Sequence, residues 1–401
     1  MGFWSLLKVA SMPVVQVLLI STLGAFMATD YLKLLSNDAR KSLNKIVFFI
    51  FTPSLVFTSL AQTVRFQDII TWWFMPVNIG ITFLVGGSIG WIAVKLIKPE
   101  PHIQNLVIAM SSAGNLGNIL LIIIPAICKE DGNPFGDKSV CSKVGLSYVS
   151  FSMALGAFFI WTHSYHLIRS AGVKYRTTQL VTDDIESSKE PNEDLEDNNK
   201  NSLLVNGSHR TNNSMIESMD NPTLWNQILG ICHKLGEELL SPPVIAAVIG
   251  FTFGTITWLR DLIIGDLAPL RVIQDSIKLL GDGTIPCITL ILGGNLTQGW
   301  RKARLKPTLI IVVICVRYII LPIVGIGVVK AASHLGFLPS DPLFHFVLMI
   351  QFTLPPAMSI GTMTQLFDVA QAECSVLFLW TYLVAALAVT GWSTIFMWLL
   401  S

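Results

Sequence analysis

The sequence carries little charge for its length. Charged residues make up only 13% of the 401 positions, whereas apolar residues make up 52%, and the mean hydropathy is +0.60. A soluble chain of this size needs more charge than that to cover its surface, so the composition argues against an ordinary soluble domain. The net charge of +1 supplies no overall field that would attract nucleic acid, and no nucleic-acid partner is expected.

The sequence also lacks the residue sets that catalysis and metal binding use. Its six cysteines form no CxxC pair and no zinc-type spacing. An intramembrane hydrolase would need a nucleophile with a base, or paired acids, and Asp282 is the clearest ionisable residue inside an apolar run. We therefore expect no enzyme activity, no catalytic residue, no cofactor and no metal site. A cleavable signal peptide is not expected either, since Lys8 precedes an apolar stretch that continues as a full span.

What the sequence has instead is a series of long apolar runs. They measure roughly 18 to 26 residues, enough to cross about 30 Å of hydrocarbon as helices, and they do not resemble the short alternating segments of a β-barrel. The runs predict an all-α polytopic membrane protein with about ten transmembrane helices. The expected spans are 12–29, 44–63, 73–97, 104–127, 143–168, 242–259, 270–296, 307–331, 343–367 and 374–399.

One hydrophilic stretch divides these runs into two groups of five. It contains acidic pairs such as Asp183-Asp184, a run of Asn, Ser and Glu, and almost no aromatic residues. Such a composition cannot bury enough apolar surface to fold. We predict a five-helix membrane repeat at 1–170, a largely disordered linker at 171–240 and a second five-helix repeat at 241–401. The linker is either a plain spacer or a segment regulated by phosphorylation or partner binding.

The distribution of Lys and Arg predicts the orientation. With the N-terminus outside, the inner loops hold clusters at 33–45 and 301–306 and carry more Lys and Arg than the outer segments. Positive residues favour the cytosolic side. We therefore expect non-cytosolic termini and a cytosolic linker, in which the sequons at Asn206 and Asn212 are not glycosylated.

Two cysteines bracket a hydrophilic loop on the expected outer side. They are Cys128 and Cys141, between spans four and five. An oxidising lumen would allow them to pair. Two free thiols are the alternative.

The two groups of spans repeat short patterns in the same order. An odd number of spans in each repeat inverts the second one in the membrane, and inverted repeats with broken helices near the midplane are typical of secondary transporters. Matches occur between spans one and six, two and seven, three and eight, and four and nine. The first two are Ser11-Met-Pro13 with Ser241-Pro-Pro243, and Thr52-Pro53-Ser54 with Ile285-Pro286-Cys287.

Spans four and nine are interrupted at corresponding positions. Residues 111–118 read Ser-Ser-Ala-Gly-Asn-Leu-Gly-Asn, and residues 351–356 read Gln-Phe-Thr-Leu-Pro-Pro. Both segments disrupt regular backbone hydrogen bonds, and backbone groups freed inside a membrane must face protein or a cavity. The breaks predict crossing helices whose amide donors and half-helix N-termini suit a carboxylate. The alternative is a pair of kinks that serve only helix packing.

We expect the substrate at this crossover, with Asn115 holding its carboxylate. Pro53 and Pro286 are equally open to a role as simple kinks, and Asp282 is either a coupling group or the partner of Lys278 in a structural ion pair. The other expected substrate-binding residues are Asn118, Ser54, Gln351, Thr353, Pro355 and Pro356, and the expected crossover and hinge residues are Gly114, Gly117, Pro53 and Pro286.

These residues resemble those of the plant auxin carriers, and they are more similar to the PIN-likes family than to the PIN efflux carriers. Asn115 stands where the family's crossover has its substrate-binding asparagine. The resemblance implies transport of indole-3-acetic acid, residence in the endoplasmic reticulum membrane and control of how much auxin reaches the nucleus. It rests on Leu43-Asn44-Lys45 and Thr52-Pro53-Ser54 in span two, on Gly281-Asp282-Gly283 in span seven, and on Pro355 and Pro356 at the second crossover.

Three functions remain open at this stage. The first is a carrier of auxin-like organic anions that works by alternating access in the lipid bilayer, as a monomer or a homodimer. The second is a sodium- or proton-coupled carrier of another organic acid. The third is a membrane auxin receptor, which would bind the ligand without moving it. Uptake of labelled indole-3-acetic acid into proteoliposomes separates the three.

Overall fold

The fold is entirely helical in the part of the chain that the structure describes. The structure is a computed structural model, and it describes residues 3–63, 65, 70–129, 133–187, 241–265, 268–302 and 305–400. Within these ranges there is no β-strand, and the bridging between extended segments is limited to one isolated β-bridge. The predicted all-α class is therefore confirmed.

The first group of helices includes two π-helical turns, at Val47–Phe51 and Ile160–Ser164. The α-helices are α1 (Phe3–Met27), α2 (Asn37–Ile46), α3 (Thr52–Thr63), α4 (Phe74–Ile97), α5 (Pro101–Ser112), α6 (Asn118–Lys129), α7 (Lys138–Phe159) and α8 (Tyr165–Ser187).

The second group includes a π-helical turn at Val316–Ile320 and a 3₁₀ turn at Gln351–Thr353. The α-helices are α9 (Pro242–Thr255), α10 (Thr257–Ile263), α11 (Arg271–Asp282), α12 (Thr284–Lys302), α13 (Pro307–Cys315), α14 (Leu321–His334), α15 (Pro342–Ile350), α16 (Ser359–Leu366) and α17 (Gln371–Leu400).

The helices are long and apolar enough for a polytopic membrane protein. Among the described residues, six helical segments could each cross a membrane, and α9 with α10 makes a seventh candidate that is bent by 103°. The predicted span at 242–259 therefore ends at Thr255, where the chain turns. The count of ten spans in two inverted repeats stays a prediction. The six segments are Asn37–Gln62, Phe74–Ile97, Lys138–Thr178, Arg271–Asn295, Pro307–His334 and Gln371–Leu400.

Proline explains two of the π-helical turns. Pro53 and Pro322 have no backbone N–H, and a proline ring inside a helix clashes with the preceding turn. In each case the residue before the proline closes a wider turn, because Thr52 N–H donates to the Val47 carbonyl and Leu321 N–H donates to the Val316 carbonyl. A wider turn absorbs the proline and keeps the span helical.

The helix at the start of the expected linker is longer than the sequence suggested. α8 continues to Ser187, so the first residues of the expected linker, 171–187, are helical. Tertiary contacts explain the difference: Tyr175 packs against His102, and Arg176 Nη2 donates to the Phe367 carbonyl at 3.3 Å. Residues 188–240 of the linker lie outside the described residues.

Each half of the chain packs one of its helices along a helix of the other half. α1 of the first half packs along α12 of the second, and α9 of the second half packs along α3 of the first. Glycine allows the close approach, because a Cβ on Gly24 would collide with the backbone of Leu290 and a Cβ on Gly293 with that of Ser21. We call α1, α3, α9 and α12 the scaffold. Reciprocal pairing of this kind is what two related repeats would produce.

A disulfide joins the helices on either side of the loop between α6 and α7. It links Cys128 and Cys141, whose Cα atoms are 5.5 Å apart. Of the alternatives that the sequence left open, the structure has the paired one. Asp137 caps the start of α7 by accepting from Ser139 and Val140, and the bond from the Ser139 hydroxyl is the main reason that the pKa of Asp137 lies below its usual value.

Candidate functional site

The two predicted breaks cross each other. α5 ends at Ser112 and α6 begins at Asn118, while the second break runs from the 3₁₀ turn at 351–353 to α16. Gly114 and Pro356 form an antiparallel bridge between the extended segments. Asn115 N–H donates to the Pro355 carbonyl at 2.8 Å, and Ala357 N–H donates to the Ala113 carbonyl at 3.0 Å. These bonds replace part of the helical bonding that both chains give up here.

The local sequences fit this crossing. Pro355 and Pro356 have no N–H to donate and hold the residues before them in extended conformations. Gly114 is needed for a different reason, since a Cβ there would lie 2.8 Å from Arg317 Nη2. A Cβ on Gly117 would lie 2.8 Å from Met153 Cγ. The predicted crossover residue Gly114 thus lies against Pro355 and Pro356, which the sequence predicted as substrate-binding residues but which do not line the cavity described below.

Asn115 is the central polar side chain of the crossing. It is 7% exposed, and its Nδ2 donates to the Tyr382 hydroxyl at 2.9 Å. Tyr382 in turn donates to the Pro356 carbonyl at 3.1 Å. The tyrosine therefore fixes the asparagine amide relative to the second crossover strand. No sequence pattern singles out Tyr382, because it is one polar residue in a long apolar helix.

Asn115 also lines a cavity between the crossover and the scaffold. One wall is formed by α3 and the start of α12, and the other by α7, the π-helical turn at Ile160–Ser164 and the two breaks. The volume is about 90 Å³, below the roughly 300–1,000 Å³ of common ligand pockets. Apolar side chains including Trp161, Met153 and Leu55 cover much of the surface. The polar lining residues are Thr52, Ser59, Asn115, Thr284 and Ser359.

The comparisons with known proteins agree with this architecture. The family model described as Membrane transport protein matches residues 9–393. The Arabidopsis thaliana proteins PIN-LIKES 7 and PIN-LIKES 5 are 59% and 57% identical to the chain over 401 and 400 residues, which is 100% of each chain. An uncharacterized transporter of Saccharomyces cerevisiae is 24% identical over 407 residues, with 94% of this chain and 92% of the yeast protein covered.

The chain belongs to the PIN-LIKES family of membrane transport proteins. It is therefore a membrane transporter with plant relatives. A family of transport proteins also agrees with the expectation that the chain is not an enzyme.

Two threonines of the transporter's cavity were not selected from the sequence. Thr52 and Thr284 are 4% and 3% exposed, and neither hydroxyl has a hydrogen-bond partner. Each lies close to one of the matched prolines, but the offsets differ, because Thr52 directly precedes Pro53 and Thr284 lies two residues before Pro286. The matched prolines themselves are not among the lining residues. Their neighbours, rather than Pro53 and Pro286, face the site.

Other expected substrate-binding residues of the transporter lie away from the cavity. Gln351 is held in a buried network, accepting from Asn78 Nδ2 at 2.8 Å and donating to Ser152 Oγ at 2.9 Å. The hydroxyls of Thr353 and Ser54 donate to carbonyls of their own helices, at Ile350 and Ile50. None of these three side chains lines the cavity. The side chain of Asn118 lies outside the described residues.

The expected coupling residues are also separate from the cavity. Asp282 and Lys278 are both exposed on the surface of α11 and its end. The ion pairs found between described residues do not join them. Within the described residues, no group of three or more His, Cys, Asp or Glu could hold a metal ion.

The strongest signal missed in the sequence is Arg317. It lies in the middle of the predicted span 307–331, where an ionisable side chain is costly and points to a function. In the structure it belongs to the π-helical turn at Val316–Ile320 and is completely buried beside the crossover.

Proposed function

We propose that this transporter carries indole-3-acetic acid, or a similar small organic anion, across the endoplasmic reticulum membrane by alternating access. It would thereby regulate how much auxin is available inside the cell. The observation that carries the proposal is Asn115, whose amide lines a cavity at the crossing of two broken helices.

The crossover offers suitable partners for a carboxylate. α6 and α16 both begin at the crossing, and the N-terminus of a helix presents unpaired N–H groups and a partial positive charge. The Asn115 amide adds a side-chain donor that Tyr382 holds in place. A carboxylate at this position would replace its lost hydration with these donors.

The opposite part of the cavity suits a flat apolar ring. Trp161 and Met153 supply an aromatic and a polarizable surface, and Leu55 and Ile288 come from the scaffold side. Aromatic rings pack well against such side chains. An indole ring with one short carboxylate arm matches this division into a polar end and an apolar wall.

The position of the cavity supports alternating access. Scaffold helices α3 and α12 form one side, and the broken helices with α7 form the other. A volume of about 90 Å³ leaves too little room for an indole-sized ligand, so the crossover helices must move relative to the scaffold to admit it. We therefore assign this conformation to a closed stage of the cycle.

The disulfide supports placement in the endoplasmic reticulum with the loop between α6 and α7 in the lumen. Disulfides persist in oxidising compartments, and this loop is on the side that the Lys and Arg distribution predicts to be non-cytosolic. The resemblance to the plant auxin carriers supports both the substrate and the location. A homodimer stays a prediction.

Uptake into proteoliposomes tests the proposal. Purified transporter is reconstituted, and accumulation of labelled indole-3-acetic acid is measured with and without sodium and proton gradients. We expect saturable uptake that exceeds that of empty liposomes and of liposomes with the Asn115→Ala variant. Saturable binding without uptake under any gradient would favour the receptor instead, and neither binding nor uptake would remove indole-3-acetic acid as the substrate.

A further inference from the structure

Arg317 is a buried positive charge without a negative partner. Its side chain is 0% exposed, and no ion pair found between described residues includes it. A guanidinium stays protonated in proteins. Burying such a charge without compensation is very unfavourable, so this position needs an explanation.

The partial compensation that Arg317 has comes from backbone carbonyls. Nη1 donates to the Ser111 and Ser112 carbonyls at 3.5 and 3.4 Å, and Nη2 donates to the Pro355 carbonyl at 3.4 Å. All three bonds are long, and Nε has no partner. The carbonyls at the end of α5 carry only a fraction of a negative charge. The surroundings of Arg317 therefore retain a net positive charge.

This positive charge lies directly behind the proposed carboxylate site. The Pro355 carbonyl accepts from Arg317 Nη2 and also from Asn115 N–H. The guanidinium also packs closely against Gly114, because a Cβ added there would lie only 2.8 Å from Nη2. Arg317 itself is not among the lining residues, so it acts on a ligand through the intervening backbone and through its field.

We propose that Arg317 is the residue that makes the cavity selective for anions. It is a positioning residue that joins the end of α5 to the second crossover strand. The positive charge of Arg317 is fully compensated only when a negative group of a ligand lies beside Asn115. The inference rests on the proposed function in that it takes this cavity as the substrate site. The inference concerns the charge of the ligand and not the identity of its ring.

Charge-varied ligands test the proposal on the unaltered protein. Indole-3-acetate, the neutral indole-3-acetamide and the cationic tryptamine share the ring and differ mainly in the charge of the arm. We expect the purified transporter to bind the acetate at least about tenfold more tightly than the acetamide, since one charge in a poorly screened site is worth that much. Tryptamine should bind more weakly than either.

Variants then assign the selectivity to Arg317. Arg317→Gln retains an amide donor but no charge, and we expect the ratio of acetate to acetamide affinity to fall to within about threefold of one. Arg317→Lys retains the charge without the planar fork and should keep most of the ratio. Arg40→Gln is the matched control, because Arg40 in α2 is also buried with an unpartnered Nε, but it donates to the carbonyl of Leu35, just before α2, and not to a crossover carbonyl. The control should lose stability and keep the ratio.

The outcomes separate the inference from the proposed function. Equal binding of acetate and acetamide by the unaltered protein, or an unchanged ratio in folded Arg317→Gln, would overturn the role of Arg317 while leaving auxin transport in place. If Arg317→Gln does not fold, two other measurements still test the inference. Equal affinity of the unaltered protein for acetate and acetamide, or loss of the affinity ratio in folded Arg317→Lys, would overturn it. Binding of none of the three ligands would remove the proposed substrate and this inference together.

Discussion

At the scale of single residues, the cavity holds two threonine hydroxyls that bond to nothing in this conformation. A buried hydroxyl without a partner costs about 1–3 kcal/mol. Thr52 and Thr284 both lie in the cavity wall opposite Asn115. Another state of the cycle that gives these hydroxyls hydrogen-bond partners would offset this cost. A substrate that brings hydrogen-bonding atoms would do so.

The first prediction is that these hydroxyls lower the stability of the protein and raise its affinity for the substrate. Thr52→Val and Thr284→Val remove an unpartnered hydroxyl at nearly constant volume, so we expect the free energy of unfolding to stay level or rise by about 1 kcal/mol. Affinity for indole-3-acetate should fall about five- to tenfold, which corresponds to one neutral hydrogen bond. Thermal unfolding in detergent and binding titration on the same preparations measure both quantities.

Thr58→Val is the control for these variants. Thr58 is also buried with an unpartnered hydroxyl, but it does not line the cavity. It should show the same change in stability with no change in affinity. Unchanged affinity in all three variants would show that the cavity threonines do not contact the ligand.

The second prediction concerns Asn115. Asn115→Ala removes a donor to a charged group, worth about 1.5–3 kcal/mol, and should weaken binding of indole-3-acetate roughly ten- to a hundredfold. The fold should survive, because Tyr382 keeps its bond to the Pro356 carbonyl. Leu116→Ala, one position along the chain, should reduce affinity less. If purified, monodisperse Asn115→Ala protein binds as tightly as the parent, the carboxylate site lies elsewhere.

The sequence could identify part of this site and not the rest, for physical reasons. Asn115, Gly114 and the double proline are visible because each disturbs a regular apolar helix. Tyr382 contacts Asn115, and Thr284 faces the same cavity, only through the tertiary packing of other spans, for which no local pattern exists. Gln351 shows the opposite error: its polarity in an apolar span suggested a ligand contact, but Asn78 and Ser152 satisfy it.

At the scale of helices, close packing within the scaffold depends on glycine. In the contact between α1 and α12, Gly293 lies against the backbone of Ser21, with no flexible side chain between them that could move aside. Small residues at such contacts let helix backbones approach closely, which is how membrane helices gain packing energy without a hydrophobic driving force.

The third prediction tests that contact. Gly293→Ala should force α1 and α12 apart and destabilise the protein by about 1–3 kcal/mol, the usual cost of overpacking. Gly391→Ala in α17 is the control, because a Cβ there meets nothing within 4 Å. It should be neutral or should stabilise by up to about 1 kcal/mol. Thermal unfolding of both variants in the same detergent provides the comparison, and equal melting temperatures would contradict the packing argument.

The fourth prediction concerns the disulfide between α6 and α7. The two cysteines are 13 residues apart, and closing a loop of that size stabilises by about 3 kcal/mol. In protein from native membranes, Cys128 and Cys141 should resist alkylation until a reductant is added. Cys128→Ser should lower the melting temperature, and Cys141→Ser should lower it equally. Free thiols at both positions before reduction would rule the bond out.

Element boundaries show where sequence patterns stop being informative. Apolar runs located the six helical segments that are long and apolar enough to cross a membrane, because hydrocarbon demands long apolar segments. The extension of α8 to Ser187 was not visible, since Tyr175 and Arg176 look like linker residues until their partners in distant elements are known. The bend of 103° after Thr255 was likewise hidden within a continuous apolar run.

At the scale of the whole molecule, one continuous helical segment links the disulfide to the linker. Lys138–Thr178 is a single helical segment of 41 residues that is apolar enough to cross a membrane, and at 1.5 Å per residue it is longer than the roughly 30 Å hydrocarbon core. Cys141 lies near its start, and the linker follows its other end. The disulfide and the linker therefore lie at opposite ends of this segment, and we expect them on opposite sides of the membrane.

The last prediction follows from the position of the disulfide and the linker at opposite ends of this segment. If the disulfide faces an oxidising lumen, the linker is cytosolic, and its sequons at Asn206 and Asn212 never meet the lumenal glycosylation machinery. We expect protein from plant microsomes to show no change in mass on treatment with a glycosidase. A sequon-bearing tag appended to the C-terminus, which the Lys and Arg distribution places in the lumen, should be glycosylated and serves as the positive control. A glycosidase-sensitive mass shift that disappears in Asn206→Gln or Asn212→Gln would reverse the orientation. It would also place the Cys128–Cys141 bond in the reducing cytosol, where such a bond does not persist, so both conclusions would fail together.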